Sequence, residues 1–162
     1  MNTTVQTILE VLQQHPFAEE LRPDHIDILR RLAREVKFER DAIIFREGDD
    51  CRKFYLIIQG QIALEIYAPG RVLRIQTLGE GDELGWSSML MRNSKHFLAR
   101  ALRPVRALEF DGVELLRACH ESPVFGFAFM YRLLGVVAQR LQATRVQILD
   151  IYSPHVGAGS AK

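Results

Sequence analysis

The chain opens on helical spacing. Val5, Ile8, Leu9 and Leu12 recur every three or four positions until Pro16, and Ile26, Ile28, Leu29 and Leu32 form a second stripe behind Pro23. Apolar residues at that spacing line one face of a helix, and Pro is tolerated in a helix's first turn. Two helices are therefore expected within an N-terminal unit, 1–35, the second of them over 23–35. From Val36 the rhythm shortens. Apolar stretches alternate with turns at Glu47-Gly48-Asp49, Gly60, Pro69-Gly70, Gly79-Glu80-Gly81 and Asp111-Gly112, and Ile62, Leu64 and Ile66 face away from Gln61, Ala63 and Glu65. A period of two between Gly-rich turns predicts short antiparallel strands, here a β unit over 36–112.

After Asp111-Gly112 the longer period returns. A short helix is expected over 113–119, then Ser122 and Pro123 as N-cap and first residue of a helix that meets no breaker before Tyr152. These make a C-terminal helical unit, 113–152. The remainder, 153–162, is rich in Gly, Ala and Ser and is expected to be a disordered tail. In the long helix Met130, Leu134, Val137, Leu141, Thr144, Ile148 and Ile151 alternate at spacings of four and three. Such a seam fits a partner helix, most simply a second copy in a parallel homodimer, although packing along the helix's own domain gives the same pattern. Leu133, Val136 and Leu149 form a second stripe for that inner face.

Composition narrows the function. Lys and Arg number 21 against 20 Asp and Glu, so no strong field draws the chain to nucleic acid or to a membrane surface. No uninterrupted apolar run approaches the ~18 residues of a membrane span. The first residues carry no basic n-region, so no signal peptide is expected and the cytoplasm is the default location. Two Cys and five His show no metal-ligand spacing, and no metal site is expected. The nucleophile elbow, P-loop, HExxH and CxxC are all absent, which argues against an enzyme.

Three segments then carry a resemblance. IIFREGDD at 43–50, FYLIIQGQIAL at 54–64 and LGEGDELG at 78–85 stand in the order and spacing of the cyclic nucleotide-binding domain family, and ARAL at 99–102 and RLQATR at 140–145 extend it. The chain most resembles the effector domains of catabolite-activator/FNR-type bacterial transcription regulators. The likeness implies a mainly β fold with flanking helices: a jelly-roll (double-stranded β-helix) barrel, N-terminal helices and a long C-terminal dimerisation helix.

The resemblance also implies a phosphate cassette. In the family Phe-Gly-Glu is followed by small and apolar residues and then by an Arg. The Glu grips a ribose hydroxyl, the Arg pairs with the cyclic phosphate, and backbone amides at a short helix complete the cradle. Here Leu84-Gly85-Trp86 stands for Phe-Gly-Glu, Ser87 and Ser88 begin the short helix, and Lys95 with His96 falls where the Arg and its neighbour belong. The glycine is retained and the carboxylate is not, and Lys95 keeps the charge without the bidentate fork. Asp82 and Glu83 read as solvated turn residues, and Trp86 reads either as a pocket-filling aromatic or as a stacking surface. Thr144 and Arg145 fall on the family's lid helix, where Thr144 also occupies the seam.

Two functions follow. One is a stand-alone regulatory sensor that binds cAMP, cGMP or another small anionic effector and signals through its dimer helix to a regulatory protein partner. The other is a ligand-free interaction or scaffold protein whose pocket is filled by its own side chains. The chain ends ten residues after Tyr152, so no helix-turn-helix and no direct DNA binding are expected.

Overall fold

The computed structural model describes residues 7–50, 52–90 and 96–152, without the side chains of Ser88 and Ile151. The expected tail, 153–162, lies outside the described residues, as does Lys95. Helix α1 spans Ile8–Gln14, capped by a reciprocal pair: Thr7 Oγ1 accepts from the Glu10 N–H, and the Glu10 carboxylate accepts from the Thr7 N–H at 2.8 Å. A 3₁₀ turn, Pro16–Ala18, leads to α2, Pro23–Leu32.

That helix stops short of residue 35. Ala33 is already extended and Arg34–Phe38 forms strand β1, so the boundary of the N-terminal unit moves back. Val36 and Phe38 decide it: two residues apart, they pack into the core between the sheets, and β1 is hydrogen-bonded along β8, Val105–Asp111. Strands β2 (Ile43–Phe45), β3 (Lys53–Gln59), β4 (Ile62–Ala68), β5 (Arg71–Leu78), β6 (Glu83–Leu84) and β7 (Leu98–Ala101) complete the β unit.

The described strands form two antiparallel sheets of four, ordered β1-β8-β3-β6 and β2-β7-β4-β5. This is the expected jelly roll, and among the described residues no strand pairs across the two sheets to close the barrel. Phe54 and Leu56 of β3 face the helices, while Tyr55 and Ile57 face the second sheet. The first sheet is thus buried on both faces, and two cores lie on either side of it.

Helix α3 is a single turn, Ser87–Leu90, and α4 spans Gly112–Glu121, its first amides held by the Asp111 carboxylate. Helix α5 begins at Pro123 as expected and runs to Tyr152. Its first half buries Phe125, Phe129, Leu133 and Val136, with Phe129 in ring contact with Phe17, Phe54 and Phe125 at 5.3–5.9 Å. Arg132 ties this half to the 3₁₀ turn, donating to the Phe17 carbonyl at 2.9 Å and pairing with Glu20 at 3.0 Å.

One expectation for α5 is corrected. Leu149, expected on the inner stripe with Leu133 and Val136, is 65% exposed, and the neighbouring Gln147 and Asp150 face the cavity in its place. Pro123–Asp150 is also long and apolar enough to cross a membrane, with a mean hydropathy of 1.3, although Arg132 and Arg140 interrupt the apolar run. Its buried first half belongs to this domain's core.

Candidate functional site

The turn before β6 aims the site. Asp82 Oδ2 accepts from the Gly79 N–H at 2.7 Å, the Asp82 carbonyl accepts from Ile57, and Gly81 donates back to the Ile57 carbonyl, both at 2.9 Å. With Asp82 so engaged and Leu84 paired to Tyr55, Glu83 points inward and is 8% exposed. The reading of Glu83 as a solvated turn residue is therefore wrong, and the reason is strand pairing: two residues of β6 suffice to set its face.

Gly85 follows at φ 89°, and a Cβ there would lie 2.2 Å from the Lys53 carbonyl oxygen. Packing on β3 by itself requires a glycine at this position. Trp86, half-buried, leads into α3, whose Met89 N–H bonds to the Trp86 carbonyl at 3.1 Å.

Between this loop, β5 and α5 lies a cavity of about 960 Å³, at the upper end of the size of small-molecule sites. It brings together Gly85, Trp86, Ser87 and Thr144 of the residues singled out in the sequence. His96 and Arg145 are exposed and do not line it, and Arg145 instead reaches Gln142 at 3.4 Å. Thr144 Oγ1 donates to the Arg140 carbonyl one turn back, at 2.9 Å. Val137 and Leu141 of the proposed seam line the cavity too, so with Thr144 three of its seven positions have an intramolecular use. Met130 packs partly against the helical core, whereas Leu134, Leu141 and Ile148 remain exposed.

The sequence reading missed Arg140. Its Nη2 donates to the Glu83 carbonyl at 2.8 Å and lies 3.8 Å from Glu83 Oε2, and both side chains are nearly buried. Burial raises the Glu83 pKa, with Arg140 opposing, and burial lowers that of Arg140, opposed by Asp82 and Glu83. A signal was present: Phe125, Phe129, Leu133 and Val136 continue at the same spacing to position 140, where an arginine occupies the buried stripe. Arg74, Gln76, Gln147 and Asp150 complete the polar part of the lining.

Among the described residues no group of three or more His, Cys, Asp or Glu comes together to hold a metal. The Cys119 thiol is pushed up to about 11 by burial, which keeps it protonated and unreactive.

The chain is similar to known proteins over most of its length. It is 27% identical over 154 residues to a CRP-like cAMP-activated global transcriptional regulator of Mycobacterium tuberculosis, covering 94% of this chain and 67% of that protein. A cyclic nucleotide-binding domain from Methylobacillus flagellatus superposes with a TM-score of 0.79 at 20% identity, over 93% of this chain and 85% of its own. The N-terminal domain of a transcriptional regulator from Streptomyces coelicolor gives 0.68 at 24% identity, over 93% and 99%. The model of the cyclic nucleotide-binding domain matches residues 35–122, more than half of the sequence. With the jelly-roll topology and the cassette loop in place, the chain belongs to the cyclic nucleotide-binding domain family.

Proposed function

We propose that this chain is a regulatory sensor domain: a small effector enters the cavity between the β6–α3 loop and α5, and α5 carries the signal. One observation supports this above the others. Arg140, the last residue of the buried stripe on α5, is hydrogen-bonded to the backbone of the loop at Glu83 beside the cavity. A ligand that moves either element moves the other, and its differential affinity for the two arrangements sets the population of each.

The output surface is the exposed side of α5. Phe127 and Tyr131 stack at 6.2 Å, and Leu134, Leu141 and Ile148 continue an exposed apolar stripe that fits a second copy of the chain. Signalling to a cytoplasmic protein partner would then depend on how two such helices sit together.

The M. tuberculosis relative is cAMP-activated, so cAMP, with cGMP as its comparison, is the first effector to test. Calorimetric titration with either nucleotide, together with a melting-temperature panel of charged and neutral metabolites, is expected to reveal saturable binding of a small effector. Absence of heat with either nucleotide, together with no ligand-induced rise in melting temperature across a metabolite panel, would favour the scaffold reading. Trp86 supports that second reading, since it is half-buried at the cavity and packs against the helical core.

A further inference from the structure

The charged side chains that line the cavity, among the described residues, are Arg74 and Arg140 against Glu83 and Asp150, and their signs cancel. Neither arginine is arranged as an anion clamp. Arg140 is 14% exposed in its side chain and already donates to the Glu83 carbonyl, and Arg74 lies exposed on β5. Glu83 Oε2 stands 3.8 Å from Arg140, beyond direct hydrogen-bond reach. An anion at this end would meet a buried carboxylate only partly offset, whereas a neutral N–H or O–H would supply that carboxylate with a donor.

Gln76, Ser87, Thr144 and Gln147 add uncharged polar groups to the lining, and the rest of the wall is apolar. Phe45, Trp86 and Phe97 bring three rings to it, with Leu64, Ile75 and Leu84 between them. Large, rigid aromatic surfaces of this kind favour a planar apolar partner.

We infer that the cavity takes a flat, aromatic molecule without net charge, which presents a single hydrogen-bonding group to Glu83 and Arg140. This rests on the sensor reading above and names the effector's chemical class. It departs from the small anion that the sequence led one to expect, because the residues that decide it, Glu83 and Arg140, stood outside the expected cassette.

Two fluorescent probes separate the classes. N-phenyl-1-naphthylamine and 8-anilinonaphthalene-1-sulfonate share one ring frame and one N–H, and differ by a single negative charge. Titrated into the full chain, the neutral amine should saturate at one site per chain, bind at least about tenfold tighter than the sulfonate, and resist displacement by cAMP. Leu73→Arg, which puts a cation into the cavity wall from a residue 38% exposed, should reverse that preference. Val72→Arg, the exposed neighbour outside the lining, should leave it unchanged.

Equal or tighter binding of the sulfonate, or displacement of the amine by cAMP, would overturn the neutral class and leave the sensor reading standing. Saturation by none of the three ligands would bring down both. The wild-type comparison decides the class even if Leu73→Arg fails to fold, and a folded Leu73→Arg with unaltered preference would place the probe elsewhere and refute the assignment.

Discussion

From Phe125 to Val136, α5 keeps an apolar residue every three or four positions against the domain's own core, and from Leu141 to Leu149 it keeps much the same spacing in exposed positions. Phe129 is fully buried among other rings, while Leu149 is 65% exposed. The first half is thus held by dispersion and by removal of apolar area from water. The second half lines the cavity through Leu141 and Thr144 and leaves Val146, Ile148 and Leu149 exposed and available for a partner. Arg140 stands at the junction, where the stripe meets the cavity.

The largest expected effect lies in the first half. Phe129→Ala removes a ring packed against three others and should cost about 3–5 kcal/mol in denaturant unfolding. A loss below ~1 kcal/mol would mean that this half is not anchored as described.

The junction should respond to pH. Because burial raises the pKa of Glu83 in the folded chain, its contribution to stability is full below the ordinary glutamate range and is lost as pH rises through the raised value. Arg140 stays charged throughout that interval, so it adds a constant. Urea unfolding of wild type and Glu83→Gln over mildly acid to neutral pH should therefore show wild type losing ground to the variant as pH rises. A difference independent of pH would show that Glu83 titrates as an exposed carboxylate.

The smallest effect is expected in the second half. Ile148→Ala should change the stability of the isolated chain by no more than about 0.5 kcal/mol, as for other exposed positions. The same substitution, followed by sedimentation over a range of protein concentration, should weaken self-association if this half pairs with a second copy. No change in either measurement would remove Ile148 from the proposed dimer surface.

Much of the fold was legible because it is written in local period. The switch from a spacing of three or four to a spacing of two and back marks the helices, the strands of the jelly roll and the start of α5 at Pro123. The misplaced end of α2 shows the limit. Residues 33–35 carry no breaker, and it is pairing with β8 that draws Arg34 into a strand. In the site, Gly85 lines the cavity, and the structure adds a reason for the glycine that the sequence did not show: its missing Cβ admits the Lys53 carbonyl. Trp86, Ser87 and Thr144 were found and meet in one cavity, whereas the direction of Glu83 was misjudged and Arg140 went unnoticed.

What the sequence determined by itself is the order of elements, the family, and the location of the cassette loop, since each rests on neighbours within a few positions or on motif spacing. What only the tertiary structure decided is which side of α5 is covered, where that cover ends, and which charges share a cavity. Those depend on residues such as Glu83 and Arg140, 57 positions apart, whose energies come from burial and mutual distance, quantities that no local pattern contains.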